Sequence, residues 1–255
     1  MTENQLQDQD VGTGRGRTDL PDRLAMIARE LRTQSREVVH TLDAIVAIAV
    51  DLIDGCDEAA VSIVHRDRGV TTPAASGAAA RSGDELQYEL NEGPCLDAVW
   101  DHETVISDDL AHDPRWATWG PRVGRDLGIR SMLCLHLFTA EDTLGALNLY
   151  SYTVDAFDAD ARVEGLALAA HAAVALASAQ EIDHLKVAVD RRTIIGQAEG
   201  ILMERFKLSP VQSFAVLTRI SSTTNRKLFS IADELVSTGE LATLRRSGEG
   251  GPTDA

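Results

Sequence analysis

The sequence predicts an α+β protein: a domain built on an antiparallel sheet flanked by helices, then a long connecting helix leading into an all-α three-helix bundle. Three observations support this prediction. Segments with the period-2 alternation of strands are mixed with helical segments and follow no regular βαβ order. No proline interrupts the alanine-rich stretch 160–205, which favours one long helix. Two amphipathic segments follow it, separated by turn residues.

Composition and hydrophobic periodicity divide the chain into segments. Leu24, Ile27 and Leu31 recur at helical spacing directly after a polar start that has few large apolar side chains. The predicted segments are a disordered tail over 1–20, an amphipathic helix over 21–37, the α+β domain over 38–180, the helical domain over 181–246 and a second disordered tail over 247–255.

The elements of the α+β domain follow in order. Leu42, Ile45 and Ala49 give an apolar face to a helix over 38–53. Alternation then predicts two strands that pair as a hairpin, and short helices are expected on either side of the Gly93-Pro94 break. The predicted strands cover 59–65, 71–76, 104–107, 130–138 and 144–150.

The strand around residue 134 has two different faces. By period 2, Met132, Cys134 and His136 share one face and the intervening leucines share the other. In one interpretation a ligand pocket lies over the first face, with Trp116 and Trp119 among its lining residues. In the alternative, the tryptophans, Met132 and Cys134 fill the core, and His136 lies near the edge of the sheet.

The residues predict no catalytic set, and they name no cofactor. The histidines do not combine with cysteines or carboxylates at the spacing of metal ligands, and no glycine-rich phosphate loop is present in the sequence. Cys56, Cys95 and Cys134 are widely separated and odd in number, which is typical of small buried residues rather than of disulfides or a zinc site. We therefore expect a protein that is not an enzyme and that holds no metal.

Charge is distributed unevenly along the chain. Residues 185–246 hold 10 Lys and Arg against 6 Asp and Glu, whereas residues 1–184 hold 14 against 32, and the net charge of the whole chain is −16. A polyanion would be repelled by the larger part, so any nucleic-acid binding belongs near the C-terminus. The polar first 20 residues lack the apolar core of a signal peptide, and no uninterrupted apolar run approaches about 20 residues. A cytoplasmic protein without a membrane span is expected.

The long helix carries a short apolar seam. Ala175, Ile182, Leu185 and Val189 are spaced by 7, 3 and 4 residues, as in a coiled coil. This spacing predicts a homodimer, and a helix face buried within the chain is the alternative.

Two further helices are predicted after it. Ser209 and Pro210 form a helix start, and that helix is expected to end near Ile220. Thr224 or Asn225 would cap the last helix, which Gly239 would end. The side chains predicted to face inward are Val211, Phe214, Ala215 and Leu217 of the first of these helices, and Leu228, Ile231, Ala232 and Leu235 of the second.

Two sets of motifs resemble known families. Residues 38–180 resemble a GAF domain, which implies a sheet of five or six antiparallel strands with a small-molecule pocket on one face. Residues 185–240 resemble an ANTAR domain, a three-helix module that binds paired RNA hairpins in nascent transcripts and acts in transcription antitermination. The GAF motifs are Asn91-Glu-Gly-Pro-Cys-Leu-Asp97, Ile106-Ser-Asp-Asp-Leu110, Asp113-Pro-Arg-Trp116 and Leu144-Gly-Ala-Leu-Asn-Leu149. The ANTAR motifs are Gly196-Gln-Ala-Glu-Gly-Ile-Leu-Met203, Ser209, Phe214, Leu217, Ser221 and Asn225-Arg-Lys-Leu228.

The resemblance and the side-chain chemistry together predict an RNA surface. Basic side chains would neutralise phosphates, and amides and hydroxyls would bond to exposed base edges or 2′-hydroxyls. Glu199 stands where the family usually has a basic residue, and it would repel RNA if it faced it. A non-enzymatic signalling adaptor, binding a protein through the same helices, is the alternative function. The predicted RNA-binding residues are Arg191, Arg192, Gln197, Ser221, Thr224, Asn225, Arg226 and Lys227.

Overall fold

The computed structural model describes residues 37–101, 103–140 and 142–241, together with Ala25 and Arg29. Ala25 and Arg29 are helical. The rest of the helix predicted over 21–37, apart from its last residue, and both predicted tails lie outside the described residues. The chain divides into two compact units, one ending at Gln180 and one beginning at Glu181.

The first unit is built on a five-stranded sheet in which every pairing is antiparallel, as predicted. The strand order is β2-β1-β5-β4-β3, so the N-terminal hairpin and the β4–β5 pair meet along β1 and β5. Gly145 of β5 lies against β1 so closely that an added Cβ would be 1.8 Å from the carbonyl oxygen of Ser62. The elements are α1 (Val38–Leu52), β1 (Glu58–Val64), β2 (Val70–Ala75), α2 (Ala78–Leu90), α3 (Pro94–Trp100), β3 (Val105–Ser107), a 3-10 turn (Pro114–Trp116), α4 (Trp119–Leu127), β4 (Ser131–Phe138) and β5 (Thr143–Ser151).

The sheet separates two hydrophobic cores. Leu133, Leu135 and Leu137 of β4 pack on one side with α1 and the first part of α5 (Ala159–Phe206). Met132 and Cys134 pack on the other side with residues of α2, α3 and α4. The predicted division of β4 into two faces is therefore confirmed.

Helix α5 is long and apolar enough to cross a bilayer by length and composition alone. A stretch of it reaches a mean hydropathy of 1.3, and 39% of that stretch is buried within the protein. Its first part covers the sheet with Leu168, Ala172 and Leu176, which are fully buried. The core helix of a soluble protein meets the same criterion, and the first part of α5 packs in the core of the first unit.

The second unit is a three-helix bundle formed by the end of α5, α6 (Pro210–Thr224) and α7 (Leu228–Thr238). Ser209 caps α6 as predicted, in a capping box that also uses the side chain of Gln212. Gly239, in the left-handed conformation with φ 73°, ends α7, again as predicted. The buried hydrophobic side chains of this bundle are Ala198, Leu202, Leu217, Ile231, Ala232, Leu235 and Leu241.

The predicted end of α6 near Ile220 is wrong, because the helix continues to Thr224. The hydroxyl groups expected to favour a turn instead donate back along the helix: Thr223 Oγ1 to the Arg219 carbonyl at 2.9 Å, and Thr224 Oγ1 to the Ile220 carbonyl at 2.7 Å. Asn225, with φ 52°, ends α6. It is therefore not the cap of α7, and neither is Thr224, since Lys227 occupies that position.

The inward face predicted for α6 is also wrong apart from Leu217. Val211 is 80% exposed and Phe214 46% exposed, and Ala215 is exposed with them. The buried face runs instead through Ser213 and Leu217. The helix has apolar residues on two sides, and sequence periodicity alone does not distinguish which side the other helices cover.

Candidate ligand site and candidate nucleic-acid interface

A buried polar cluster lies on the side of the sheet that faces α2, α3 and α4. Its centre is Asp84, which α2 holds with no exposed surface. Five side chains donate hydrogen bonds to this carboxylate, in place of the water molecules that would surround it if it were exposed. The donors are Thr72 Oγ1 at 2.8 Å and Ser62 Oγ at 3.3 Å to Oδ2, and Asn148 Nδ2 at 2.8 Å, Gln87 Nε2 at 3.3 Å and the Tyr150 hydroxyl to Oδ1.

Burial dominates the electrostatics of Asp84. It raises the pKa of this carboxyl group to about 6, even though the hydrogen bonds from Tyr150, Thr72, Asn148 and Ser62 lower it. Among the described residues, no basic side chain forms an ion pair with Asp84. Asp84 therefore holds its proton to a higher pH than a free aspartate does and remains ionised at neutral pH at a cost in stability; such raised pKa values are typical of carboxylates held at functional sites.

Two more polar side chains, those of Tyr88 and Cys95, extend the cluster, and Asn148 has a second polar atom within it. The Tyr88 hydroxyl lies 2.7 Å from both Ser62 Oγ and Thr72 Oγ1, and Cys95 Sγ donates to Ser62 Oγ at 3.2 Å. Burial raises the pKa of Cys95 to about 12, which keeps it a thiol and a poor nucleophile. Within the described part of the chain, Asn148 Oδ1 is buried without a hydrogen-bond partner. This acceptor is available to a donor that the protein itself does not supply.

The residues predicted to line a pocket lie beside this cluster, with one exception. Trp116, Trp119, Met132 and Cys134 are all buried in the same core. In the β4–β5 register, Met132 is opposite Tyr150 and Cys134 is opposite Asn148. The indole nitrogens donate to Asp97 Oδ2 at 2.8 Å from Trp116, and to the Gly83 carbonyl at 3.0 Å from Trp119.

His136 is the exception. Its side chain is half-buried, it stacks on Phe138 with the ring centroids 5.0 Å apart, and its Nε2 lies 3.2 Å from Thr143 Oγ1. The structure therefore brings four of the five predicted residues together and places His136 farther along β4. The polar residues of the cluster were not predicted from the sequence, although Ser62 and Asn148 are polar residues at inward positions of otherwise apolar strands. That break in the alternation was the available signal.

The structure shows what three residues of the motif at 91–97 do. Asn91 ends α2 in the left-handed conformation, with φ 51°. One oxygen of Glu92 accepts hydrogen bonds from the backbone N–H groups of Thr118 and Trp119, at 2.7 and 2.8 Å, at the start of α4. Asp97 holds the Trp116 indole. These residues fix the helices that cover the cluster.

The predicted RNA-binding residues lie on two parts of the three-helix bundle. Arg191, Arg192 and Gln197 are exposed on α5. The others lie at the end of α6 and in the turn before α7. The two parts approach each other at one point, where the Arg191 guanidinium lies over the ring of Phe229, with Cζ 5.7 Å from the ring centroid. Residue 229 is the second residue of α7, so Arg191 lies near the start of that helix.

Several of these polar groups already have partners. Ser221 Oγ donates to the Arg226 carbonyl at 2.6 Å, which holds the turn closed, and Thr224 Oγ1 bonds to its own helix. Arg226 forms an ion pair with Glu234 at 2.6 Å. Asn225 is exposed, and its backbone conformation ends α6.

Two cations of the bundle have other contacts in place of an ion pair, since Arg191 lies over Phe229 and Arg205 donates to the Gly239 carbonyl. Three others have neither among the described residues. In the described part of the chain, Arg192, Arg219 and Lys227 are exposed and form no ion pair. Arg219 was not among the predicted residues. It lies in the last part of α6, which the sequence analysis assigned to the end of the helix. Glu199, the acidic residue expected to oppose RNA, is half-buried.

Comparisons with known families agree with the two motif sets. A GAF domain matches residues 35–177, more than half of the chain, and an ANTAR domain matches residues 183–236. No match was found among curated proteins.

Solved structures share the fold of the first unit. The GAF domain of a phosphoenolpyruvate-protein phosphotransferase from Acinetobacter is 17% identical with a TM-score of 0.51, and the match covers 66% of this chain and 98% of that one. The corresponding domain from Coxiella burnetii is 17% identical with a TM-score of 0.52, over 64% and 95%. The reduced form of fRMsr from Staphylococcus aureus is 15% identical with a TM-score of 0.50, over 63% and 97%. At these identities the likeness concerns the fold alone.

Proposed function

The chain belongs to the GAF domain family and carries an ANTAR domain after its GAF domain, and from this architecture we propose a signal-responsive RNA-binding regulator that acts by transcription antitermination. GAF domains sense signals, and ANTAR domains are RNA-binding antitermination domains. Both are regulatory domains, one for sensing and one for RNA binding, and we assign this chain a regulatory rather than a catalytic role. In the proposal, the C-terminal unit binds paired RNA hairpins, and the GAF domain controls that binding.

One observation carries the RNA proposal: the ANTAR match coincides with a three-helix bundle whose exposed cations have no acidic partner among the described residues. Arg192, Arg219 and Lys227 can neutralise phosphates without first breaking an ion pair within the unit. Arg226, in contrast, would have to exchange Glu234 for RNA. We therefore assign phosphate binding first to the unpaired cations, and turn geometry to Ser221, Thr224 and the backbone of Asn225.

We assign signal reception to the side of the GAF sheet that carries the Asp84 cluster. The unsatisfied Asn148 Oδ1 is an acceptor, and Asp84 holds Asn148 in place by accepting from its Nδ2 at 2.8 Å, so a ligand there would be a hydrogen-bond donor. Mass spectrometry of the purified protein tests this assignment. The expected result is a small donor molecule that co-purifies with the wild type and is lost from Asp84→Ala, while Glu85→Gln, which changes the exposed neighbour, retains it. Retention by Asp84→Ala would remove this assignment.

The proposal includes a homodimer paired through α5. Ile182, Leu185 and Val189 are 38%, 59% and 64% exposed, at coiled-coil spacing. Ala175, the first residue of the predicted seam, packs against the core of the first unit, so it follows the alternative of a face buried within the chain. Every residue from 181 to 193 is exposed in the single chain, so the rest of the seam does not. A second copy would cover this seam.

Single-round transcription tests the proposed function. The template encodes a two-hairpin RNA, selected in vitro against the protein, in which the second hairpin overlaps a terminator stem. We expect the full chain to increase read-through and Arg192→Ala/Lys227→Ala to do so less, because each removed cation releases a phosphate contact. Unchanged termination on an RNA that the protein binds would contradict antitermination. Absence of RNA binding would favour the protein-binding adaptor.

A further inference from the structure

The start of α7 presents an aromatic side chain that the bundle core does not explain. Phe229 is half-buried, yet among the described residues it is not part of the hydrophobic core that Leu217, Ile231 and Leu235 form. Its neighbour Leu228 packs against that core. The contact that covers the Phe229 ring is the exposed guanidinium of Arg191, from α5. A polar, exposed side chain therefore lies where a core position would have an apolar one.

We propose that Arg191 and Phe229 together form a stacking site for one unpaired base of an RNA loop. This inference rests on the proposed RNA-binding function and adds a base-contacting site to its phosphate contacts. Aromatic rings and guanidinium planes are the two side-chain groups on which unstacked RNA bases pack. Here both belong to one contact, so a base can stack on the guanidinium, or replace it on the ring.

The surroundings suit a nucleotide. Lys227 lies two residues before Phe229, is exposed and forms no ion pair among the described residues, so it can neutralise the phosphate beside the stacked base. The exposed Asn225 ends the preceding helix and adds amide donors and acceptors for a base edge. Of the two acidic residues one turn farther along α7, Glu234 is paired with Arg226, and Asp233 is exposed.

The chain offers a matched control. Phe214 is also an exposed aromatic residue of the same bundle, 46% exposed, but in the described structure no cation lies over its ring. It is on the outward side of α6. Replacing Phe214 by Leu removes the same ring from the same unit without touching the proposed site.

The experiment measures the affinity of the full chain for a two-hairpin RNA selected from a loop-randomised pool, and for versions with one loop base at a time removed. We expect Phe229→Leu to weaken binding on the order of 10-fold, and to leave the salt dependence unchanged, since stacking contributes affinity without releasing counterions. One abasic position should abolish the difference between wild type and Phe229→Leu. Phe229→Tyr, which keeps a ring, should bind like the wild type, as should Phe214→Leu.

The other possible results distinguish failure of the stacking site from failure of the proposed function. If Phe229→Leu and wild type bind the intact loops equally, the stacking site is wrong while the proposed function stands. The same conclusion follows if Phe229→Leu weakens binding by the same factor on every abasic RNA. A purely structural role of Phe229 would not depend on which loop base is missing. If the wild type binds no selected RNA, the proposed function fails together with this inference.

Discussion

Replacing Asp84 by Asn tests the electrostatics of the buried polar cluster in the first unit. Burial raises the pKa of Asp84 from 3.8 to about 6. A carboxyl group with a raised pKa in the folded protein stabilises the fold below its unfolded pKa, and this contribution is lost as pH rises through the folded value. At about 1.4 kcal/mol per pKa unit, keeping Asp84 ionised at neutral pH costs about 3 kcal/mol of unfolding free energy. Asn is neutral at every pH and avoids that cost.

The groups that bond to Asp84 can accommodate an Asn side chain with its amide group turned in one orientation. The Asn oxygen can accept from Tyr150, Asn148 and Gln87 in place of Oδ1. Its amide can donate to the hydroxyl of Thr72, which can turn to accept, whereas Ser62 Oγ already accepts from Asn148 and Cys95. We therefore expect Asp84→Asn to stabilise the first unit, and the gain to grow by about 2 kcal/mol between pH 4.5 and 7.5.

Urea unfolding followed by tryptophan fluorescence measures this effect. The chain has 3 tryptophans, at positions 100, 116 and 119, so the signal reports the first unit alone. Glu85→Gln, an exposed change on the same helix, should alter stability by less than about 0.5 kcal/mol at any pH. A stability difference between Asp84→Asn and wild type that does not vary with pH would refute the reasoning. It would mean that Asp84 has the same pKa in the folded and unfolded states.

Three further predictions concern the second unit. Ser209→Ala removes the capping box and should destabilise α6 by about 1 kcal/mol; hydrogen exchange should then be faster at the amides of its first turn, and unchanged exchange would contradict the cap. Leu185→Lys should convert a dimer to a monomer in sedimentation velocity, because it places a charge in the seam with Ile182 and Val189; an unaltered mass would exclude that interface. Glu199→Lys should tighten RNA binding in a filter-binding assay and steepen its salt dependence, whereas equal affinity would mean that residue 199 lies away from RNA.

The sequence predicted the architecture well because its strands and helices have clear periods. Alternation in 59–65 and 130–138 identified β1 and β4 to within one residue at each end. Period 2 also separated Met132 and Cys134 from the intervening leucines, which the two cores confirm. These features depend on local geometry, which a single sequence contains.

What the sequence could not predict depends on long-range contacts. Asp84 is 64 residues from Asn148 and 22 from Ser62, and nothing local indicates that they meet. The orientation of α6 was missed because Val211 and Phe214 are as apolar as Val216 and Leu217. The same limit applies to the RNA surface, since only the folded bundle shows that Arg226 is paired and Arg219 is not.

The central claim is that the cations of the three-helix bundle bind hairpin RNA, and a salt series on the full chain tests it most directly. For the selected two-hairpin RNA, the logarithm of the association constant should fall linearly with the logarithm of salt concentration. Arg192→Ala/Lys227→Ala should weaken binding at low salt and reduce the slope by about 2, while Lys207→Ala, which removes a cation paired with Glu204, should leave both unchanged. Equal affinity and equal slope for wild type and the double variant would contradict the account.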